Sequence, residues 1–389
     1  MQMKKTKIVY CIPSLYSASG MERVLTQKAN FLADQLNYSV TIVLTDGKNA
    51  KPFYPLSPNV STINLDINYN ELYNKSPIQK ITGYQIKQFY FKKRLAAVLK
   101  EIRPNITVSL LRREINFITH LKDDSLKMGE IHFSKATYRD STNFKVPTAI
   151  RKIIRFFWMQ QLILNLKKLN RFIVLTEEDD QLWKELDNTA VIPNPLSFKS
   201  REISTCESKQ VIAAGRLVPQ KGFDLLIKAW EHVHANYPDW QLTIYGNGDP
   251  GNLLELAKTR QIENSVTIKP AVSNIQEKYL ESSVFVLSSR YEGFGLVLTE
   301  AMECGLPVVS FSCPCGPRDI VRDGEDGFLA EPENSQQLAE KIELLIENGQ
   351  LRKKMGENAR KNVQRFNIES IMQQWDHLFQ NALQQQSKD

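Results

Sequence analysis

QVIAAGRLVPQKGFDLLIKAWEHVHANYPDWQLTIYG, residues 210–246, runs from a short apolar strand through a loop holding Arg216 and Lys221 into an amphipathic helix, and out to a second apolar strand. Unbroken apolar runs between turn residues fit strands buried on both faces, and the helical spacing between them fits a crossover between parallel strands. SVTIKPA, VFVLSS and LPVVSF continue the alternation, separated by PGNLLELAKTR, IQEKYLES and GLVLTEAMECG. Upstream, KIVYCIP (7–13), SVTIVLT (39–45), NITVSLL (105–111) and RFIVLT (171–176) repeat it, with ERVLTQKANFLADQL helical between the first two. Two successive β/α arrays predict an α/β protein of two doubly wound domains. The join is expected in IPNPLSFKSREISTCESK (192–209), where two prolines and a polar run have linker composition, so the domains are placed at 1–193 and 194–365. FNIESIMQQWDHLFQNALQQQ (366–386) supplies a last amphipathic helix with Ile371, Trp375, Leu378 and Phe379 on one stripe.

A chain of 389 residues, 42% hydrophobic and 24% charged, can build sizeable cores, which excludes disorder and collagen-like structure. The five cysteines are scattered without a C-x-x-C, so neither a disulfide framework nor a zinc ribbon fits and a reducing, cytoplasmic compartment is expected. The N-terminus raises a signal peptide, but Ile8 to Pro13 is too short for an h-region and reads as a first strand. The best membrane-span candidate, IIRFFWMQQLILNL at 153–166, is interrupted by Arg155, Gln160 and Gln161. The net charge of +7 is uneven: residues 1–195 hold 29 Lys/Arg against 17 Asp/Glu, and 196–389 hold 21 against 26. Most of the excess sits at 75–103 and 151–171 among aromatic residues, which predicts reversible peripheral contact with an anionic membrane surface; no nucleic-acid partner is expected. The alternative is that these cations are solvated, or meet an anionic acceptor.

The densest motif is SSRYEGFGLVLTEAMECGLPVVSF (288–311). Glu292 follows an apolar strand, and the short Gly293-Phe294-Gly295 turn leads into helix-forming residues that include Glu300, a geometry that aims free N–H groups at an anion. Glu300, eight residues beyond Glu292, is expected about two helical turns away on the same side. Two carboxylates flanking such a nest suit a polyhydroxylated, phosphorylated ligand, although a solvated Glu and a capping Glu would give the same residues. Arg216 and Lys221 share one strand-to-helix loop and can converge on a diphosphate. In SLYSASGMERV (14–24) a glycine turn, with Gly20 at its tight point, precedes a helix and can admit a diphosphate or acceptor closely. GNGDPG, beginning at Gly246, matches G-x-G-x-x-G, but it lies mid-chain, contains Pro250, and the next strand ends in Lys269 instead of an acid, so a dinucleotide site is rejected in favour of a tight turn at the strand's carboxyl edge, with Gly246 expected among the residues that meet the donor.

Among five histidines, His232 and His234 face different ways on a helix. His132 follows a probable strand between Glu130 and the polar run Lys135 to Arg139, and is the active-site candidate beside the plainer reading of a packed histidine. No D-x-D, H-E-x-x-H or G-x-S-x-G occurs, which argues against a dedicated metal–diphosphate site, a zincin and a lipase-type hydrolase. No metal ligand set and no cofactor is expected.

GRLVPQKG, the E-x₇-E segment, CPCGPRDIVRDGEDGFL, VIPNPL and the glycine turn before MERV together resemble the retaining GT-B-fold glycosyltransferases of the "group 1" family, similar to family 4 glycosyltransferases. The resemblance implies two Rossmann-like domains facing a cleft, a C-terminal helix (366–389) returning to the N-terminal domain, a nucleotide diphosphate sugar on the C-terminal domain and an acceptor against the N-terminal one. It implies that Arg216 and Lys221 hold the diphosphate, Glu300 the ribose and Glu292 the transferred sugar. The Phe294–Gly295–Leu296 backbone would meet the sugar or phosphate, and His132 would occupy the family's active-site histidine position. Ser19 stands before Gly20 where the family has a double glycine.

The expected activity is metal-independent, retaining transfer of a hexose or N-acetylhexosamine from a nucleotide sugar to a glycan or lipid-linked glycan in polysaccharide biosynthesis. UDP is the expected nucleotide because CPCGPRDI resembles galactose and N-acetylgalactosamine transferases. The rivals are a GT-B-fold nucleotide-sugar epimerase and a catalytically silent binding subunit.

Overall fold

The computed structural model describes residues 5–48, 50–135 and 148–387. The chain divides into two compact units, one of residues 1–175, 180–192 and 371–389, the other of 176–179 and 193–370.

The first unit contains β1 (Lys7–Ile12), α1 (Gly20–Asp34), β2 (Ser39–Leu44), β3 (Val60–Asn64), α2 (Pro77–Ile102), β4 (Ile106–Ser109), β5 (Leu126–Glu130), α3 (Thr148–Leu166) and β6 (Arg171–Val174). After α4 (Glu177–Leu182) comes β7 (Thr189–Val191), and the order across the sheet is β3-β2-β1-β4-β5-β6-β7 with parallel pairings. Local chemistry sets the helix starts. Ser19 caps α1 through Glu22 N, and Ser76 with Gln79 forms a reciprocal capping box in front of Pro77 on α2. Phe91, Leu95 and Leu99 of α2 and Leu162, Ile163 and Leu166 of α3 join one core cluster with Val9, Cys11 and Phe172 of the sheet.

The second unit runs β8 (Gln210–Ala214), α5 (Phe223–Asn236), β9 (Gln241–Tyr245), α6 (Gly251–Thr259), β10 (Val266–Lys269), α7 (Ile275–Leu280), β11 (Val284–Leu287), α8 (Leu296–Glu303) and β12 (Val308–Phe311). It continues with α9 (Pro317–Ile320), β13 (Gly327–Ala330), α10 (Ser335–Glu347) and α11 (Gly349–Asn362), and its parallel sheet is ordered β10-β9-β8-β11-β12-β13. The last helix, α12 (Ile368–Gln386), belongs from Ile371 onward to the first unit, where Phe379 meets the Tyr38 ring edge-on and Trp375 lies over the Lys28 ammonium. Among the described residues no helix is long and apolar enough to cross a membrane.

Apart from β10 at the edge of the second sheet, the strands that stand out in the sequence lie inside the sheets. β3, β7 and β13 lie at sheet edges, are three to five residues long and are only partly buried, so they carry little of the unbroken apolar signal that marks β1 or β11.

Candidate active site

In each sheet the strand order reverses beside the first strand, between β1 and β4 and between β8 and β11. Loops leaving the carboxyl ends of two such strands diverge to opposite faces and open a crevice, which is where open α/β sheets bind ligands. In the second unit these are the loops after β8 (215–222) and after β11 (288–295), the two segments that the sequence singles out.

Lys221 Nζ lies 2.6 Å from Glu292 Oε1, and Ser289 Oγ donates to the same oxygen at 2.6 Å. The Glu292 side chain is 7% exposed and that of Lys221 13%, so the pair is largely withdrawn from water, where a charge-assisted bond holds its geometry more firmly than at the surface. Arg216 is exposed on the same loop and its Nη2 reaches Gln220 Oε1 at 3.4 Å. Thus Lys221 and Glu292, expected in separate roles, are bonded to one another, while Arg216 stands at the surface.

The expected helical relation between Glu292 and Glu300 is not what forms. Helix α8 begins only at Leu296 because Gly295, at φ 97°, breaks the backbone before it, so Glu292 sits in the preceding loop and a period of 3.6 does not connect the two. Glu300 is buried within α8 and accepts from the Tyr279 hydroxyl at 3.2 Å. Phe294 is buried against Phe366, which fixes the turn, and the opening N–H groups of α8 have no acceptors within the helix. Glu292 N donates to Pro314 O, so the CPCGPR segment braces the same turn. Cys313, inside that segment, is a buried thiol pushed up first by burial and then by the Glu292 charge.

Gly246 follows β9, and an added Cβ there would come 1.9 Å from Gly215 O, so the position needs glycine for the strand end to pack under the loop that bears Arg216. Gly222 caps α5 at φ 61°, and a Cβ there would lie 2.0 Å from Ser288 O. We predict that Gly222→Ala destabilises the protein by about 2 kcal/mol through the left-handed backbone and the collision. It should also push apart the loops bearing Lys221 and Glu292. Unfolding in urea reads the first effect, and a wild-type midpoint would refute it.

Sequence reasoning missed the residue that ties these loops together. Arg290 makes two hydrogen bonds to Asp224, at 2.9 and 2.8 Å, and donates from Nη1 to Pro219 O, while its N–H donates to Gln220 O. Hydrogen bonds from Arg290 hold Asp224 below the usual carboxylate range. Asp224 stands in the first turn of α5 and Arg290 after β11, 66 residues apart, so no local pattern announces the clamp.

In the first unit His132 follows β5, and its Nε2 lies 3.2 Å from Glu130 Oε1. Glu130 Oε2 accepts from Lys28 Nζ at 2.6 Å. Lys28 and Glu130 are 1% and 2% exposed. Burial alone would raise the Glu130 carboxyl, but Lys28 and His132 together bring it down to about 2. Burial pulls the Lys28 ammonium below the ordinary lysine range while Glu130 opposes the shift. An ionised Glu130 thus anchors one nitrogen of His132, which orients the ring. Lys135 pairs with Glu185, and Arg139 lies outside the described residues. Gly20 differs from expectation. It is the first helical residue of α1, exposed, and the turn before it is shaped instead by Ser19 and by Glu22, which accepts from Ser14 Oγ, Ser17 Oγ and Ser17 N. A helix start capped by serine needs no tight glycine turn.

Two Rossmann-like sheets in one chain, the second with charged loops meeting at its switch point, are the architecture of the GT-B fold. A mutant of S. aureus TarM, crystallised with fondaparinux, α-GlcNAc-glycerol and UDP, shares this fold at a TM-score of 0.76 and 19% identity, over 96% of this chain and 99% of its own. An uncharacterised glycosyltransferase of Haemophilus influenzae is 31% identical over 95% of this chain and 98% of its own length. The amylovoran biosynthesis glycosyltransferase AmsD of Erwinia amylovora is 26% identical over 96% of this chain and 99% of its own. Residues 198–362 match the family described as glycosyl transferases group 1, and the chain belongs to that family of glycosyltransferases.

Proposed function

We propose that this glycosyltransferase moves a hexose or N-acetylhexosamine, with retention, from a UDP-sugar to a glycan or lipid-linked glycan acceptor in polysaccharide biosynthesis. The observation that carries the reading is the Lys221–Glu292 pair at the β8/β11 switch point, beside the N-terminus of α8. The cation and helix end suit a diphosphate, and the carboxylate suits sugar hydroxyls. The relative named for amylovoran biosynthesis supports a polysaccharide product, and the UDP-bound neighbour supports the nucleotide.

In the proposed reaction the bond between the sugar's anomeric carbon and the diphosphate oxygen breaks, and the acceptor oxygen bonds to that carbon on the same face. The acceptor's proton passes to the departing diphosphate. Lys221 and Arg216 stabilise the charge that grows on the diphosphate, an interaction strongest in the transition state. Glu292 orients the sugar, Glu300 the ribose, and the 294–296 backbone meets the sugar or phosphate. His132 is assigned to the acceptor-side unit by its place after β5.

Incubation with UDP-sugars, with and without glycan acceptors, tests this reading. Transfer to acceptor supports it, isomerised sugar would instead mark an epimerase, and neither would mark a silent subunit. Retention is read from the anomeric configuration of the product. Activity is also expected to survive EDTA, because fixed cations and a helix N-terminus can replace Mg²⁺ at a diphosphate. Loss in chelator with recovery on adding Mg²⁺ or Mn²⁺ would overturn metal independence.

A further inference from the structure

Helix α3 is apolar on two faces, and among the described residues it packs only one of them. Leu162, Ile163 and Leu166 lie in the core, whereas Ile150, Ile153, Phe157 and Leu164 form a second stripe that faces water, with Phe157 64% and Leu164 61% exposed. Phe156 adds an exposed ring edge-on to Phe157. Helix α2 repeats the arrangement: Phe91, Leu95 and Leu99 are in the core, while Ile78, Ile81 and Phe89 face out, Ile78 being 75% exposed. Both helices contribute to one core cluster and both contact the turn at Arg113–Asn116, so they lie on the same face of the first sheet.

Cations accompany these apolar stripes. Residues 77–102 hold six Lys/Arg and one acid, of which Lys87 pairs with Glu71 and Arg94 donates to Leu65 O, and residues 148–166 hold three and none. Lys92 and Lys93, exposed, follow Phe89 by one turn, and exposed Lys152 precedes Ile153. Water alone does not account for large apolar side chains repeated at helical spacing on the outer face of two helices. A second copy of this chain would bring the same positive charge against itself, and a polyanion without an apolar phase would leave the Phe and Ile stripes wet. An anionic lipid interface satisfies both features, with rings and aliphatic chains entering below the headgroups and ammonium groups remaining among them.

We propose that the outer faces of α2 and α3 form a membrane-docking surface that inserts Phe156, Phe157, Ile153 and Phe89 into the interface of an anionic lipid bilayer. The surface is independent of the donor chemistry proposed above and would place a lipid-linked acceptor and the enzyme at one interface. It adds an apolar, salt-resistant component to the electrostatic attraction expected from charge alone.

The test uses the full chain with vesicles of phosphatidylcholine alone and of phosphatidylcholine with phosphatidylglycerol at about two to one. Wild type should bind the anionic vesicles at least about tenfold more tightly than the neutral ones, with part of the binding surviving high salt. Phe156→Ser with Phe157→Ser should remove the salt-resistant part. Lys92→Gln with Lys93→Gln should reduce the anionic preference while leaving the melting temperature unchanged. Acyl-chain bromination should quench tryptophan emission in wild type, and Trp158→Phe should diminish the quenching. Equal binding to both vesicles overturns the proposal, as does double-Ser binding indistinguishable from wild type. Self-association through α3 without vesicle binding also overturns it. None of these readouts depends on sugar transfer, so failure here leaves the reaction proposed above untouched, and failure of that reaction leaves this surface standing.

Discussion

Lys221→Ala is expected to lower kcat/KM for the UDP-sugar reaction by about thirtyfold to several hundredfold, the loss of roughly 2 to 4 kcal/mol of transition-state stabilisation. The substitution removes a cation proposed to sit at the diphosphate and leaves the buried Glu292 with the Ser289 hydroxyl as its remaining side-chain partner. A purely structural role for the pair predicts a different pattern. If Lys221 served only to neutralise Glu292, then Lys221→Ala combined with Glu292→Gln would be no more impaired than Glu292→Gln alone, since no buried charge would remain unpaired. If Lys221 acts on the diphosphate, the double variant falls well below Glu292→Gln alone. Arg216→Ala should weaken the donor in the same direction, and wild-type kinetics in both Arg216→Ala and Lys221→Ala would sink the diphosphate assignment.

The second large effect is on stability. Lys28→Met should destabilise the first unit by about 3 to 5 kcal/mol, because it leaves Glu130 ionised in the core without its ammonium partner and removes the cation from the Trp375 face. For a unit of this size that corresponds to a fall in melting temperature of roughly 10 °C or more. Lys28→Met with Glu130→Leu should recover most of the stability, since exchanging a buried ion pair for apolar residues is often neutral. It should still impair turnover, because His132 loses the carboxylate that orients it. The acid limb carries a further signature. The Glu130 pKa is depressed on folding, so its contribution is full above the ordinary glutamate value near 4.5 and is lost as pH falls toward about 2. Glu130→Gln should flatten that part of the stability profile. A Lys28→Met variant that melts with wild type would refute the core ion-pair account.

The central strands, their alternation with helices and the loops holding Arg216, Lys221, Glu292 and Gly295 are legible in the sequence because burial on both faces writes an unbroken apolar run into each strand. The caps at Ser19 and Ser76 are local as well, each a hydroxyl bonding an N–H three residues on. Strand order, the pairing of Lys28 with Glu130 across 102 residues and the Arg290–Asp224 clamp are not local, and only the folded sheet brings their members together. Glu292 and Glu300 show the boundary within a single motif: eight residues suggest a shared helix face, yet where α8 starts is decided by the backbone at Gly295 and the packing of Phe294. The apolar residues of α3 show it again. Periodicity says that the helix has apolar stripes, but which stripe enters the core depends on what the neighbouring strands present, and that is a property of the tertiary structure alone.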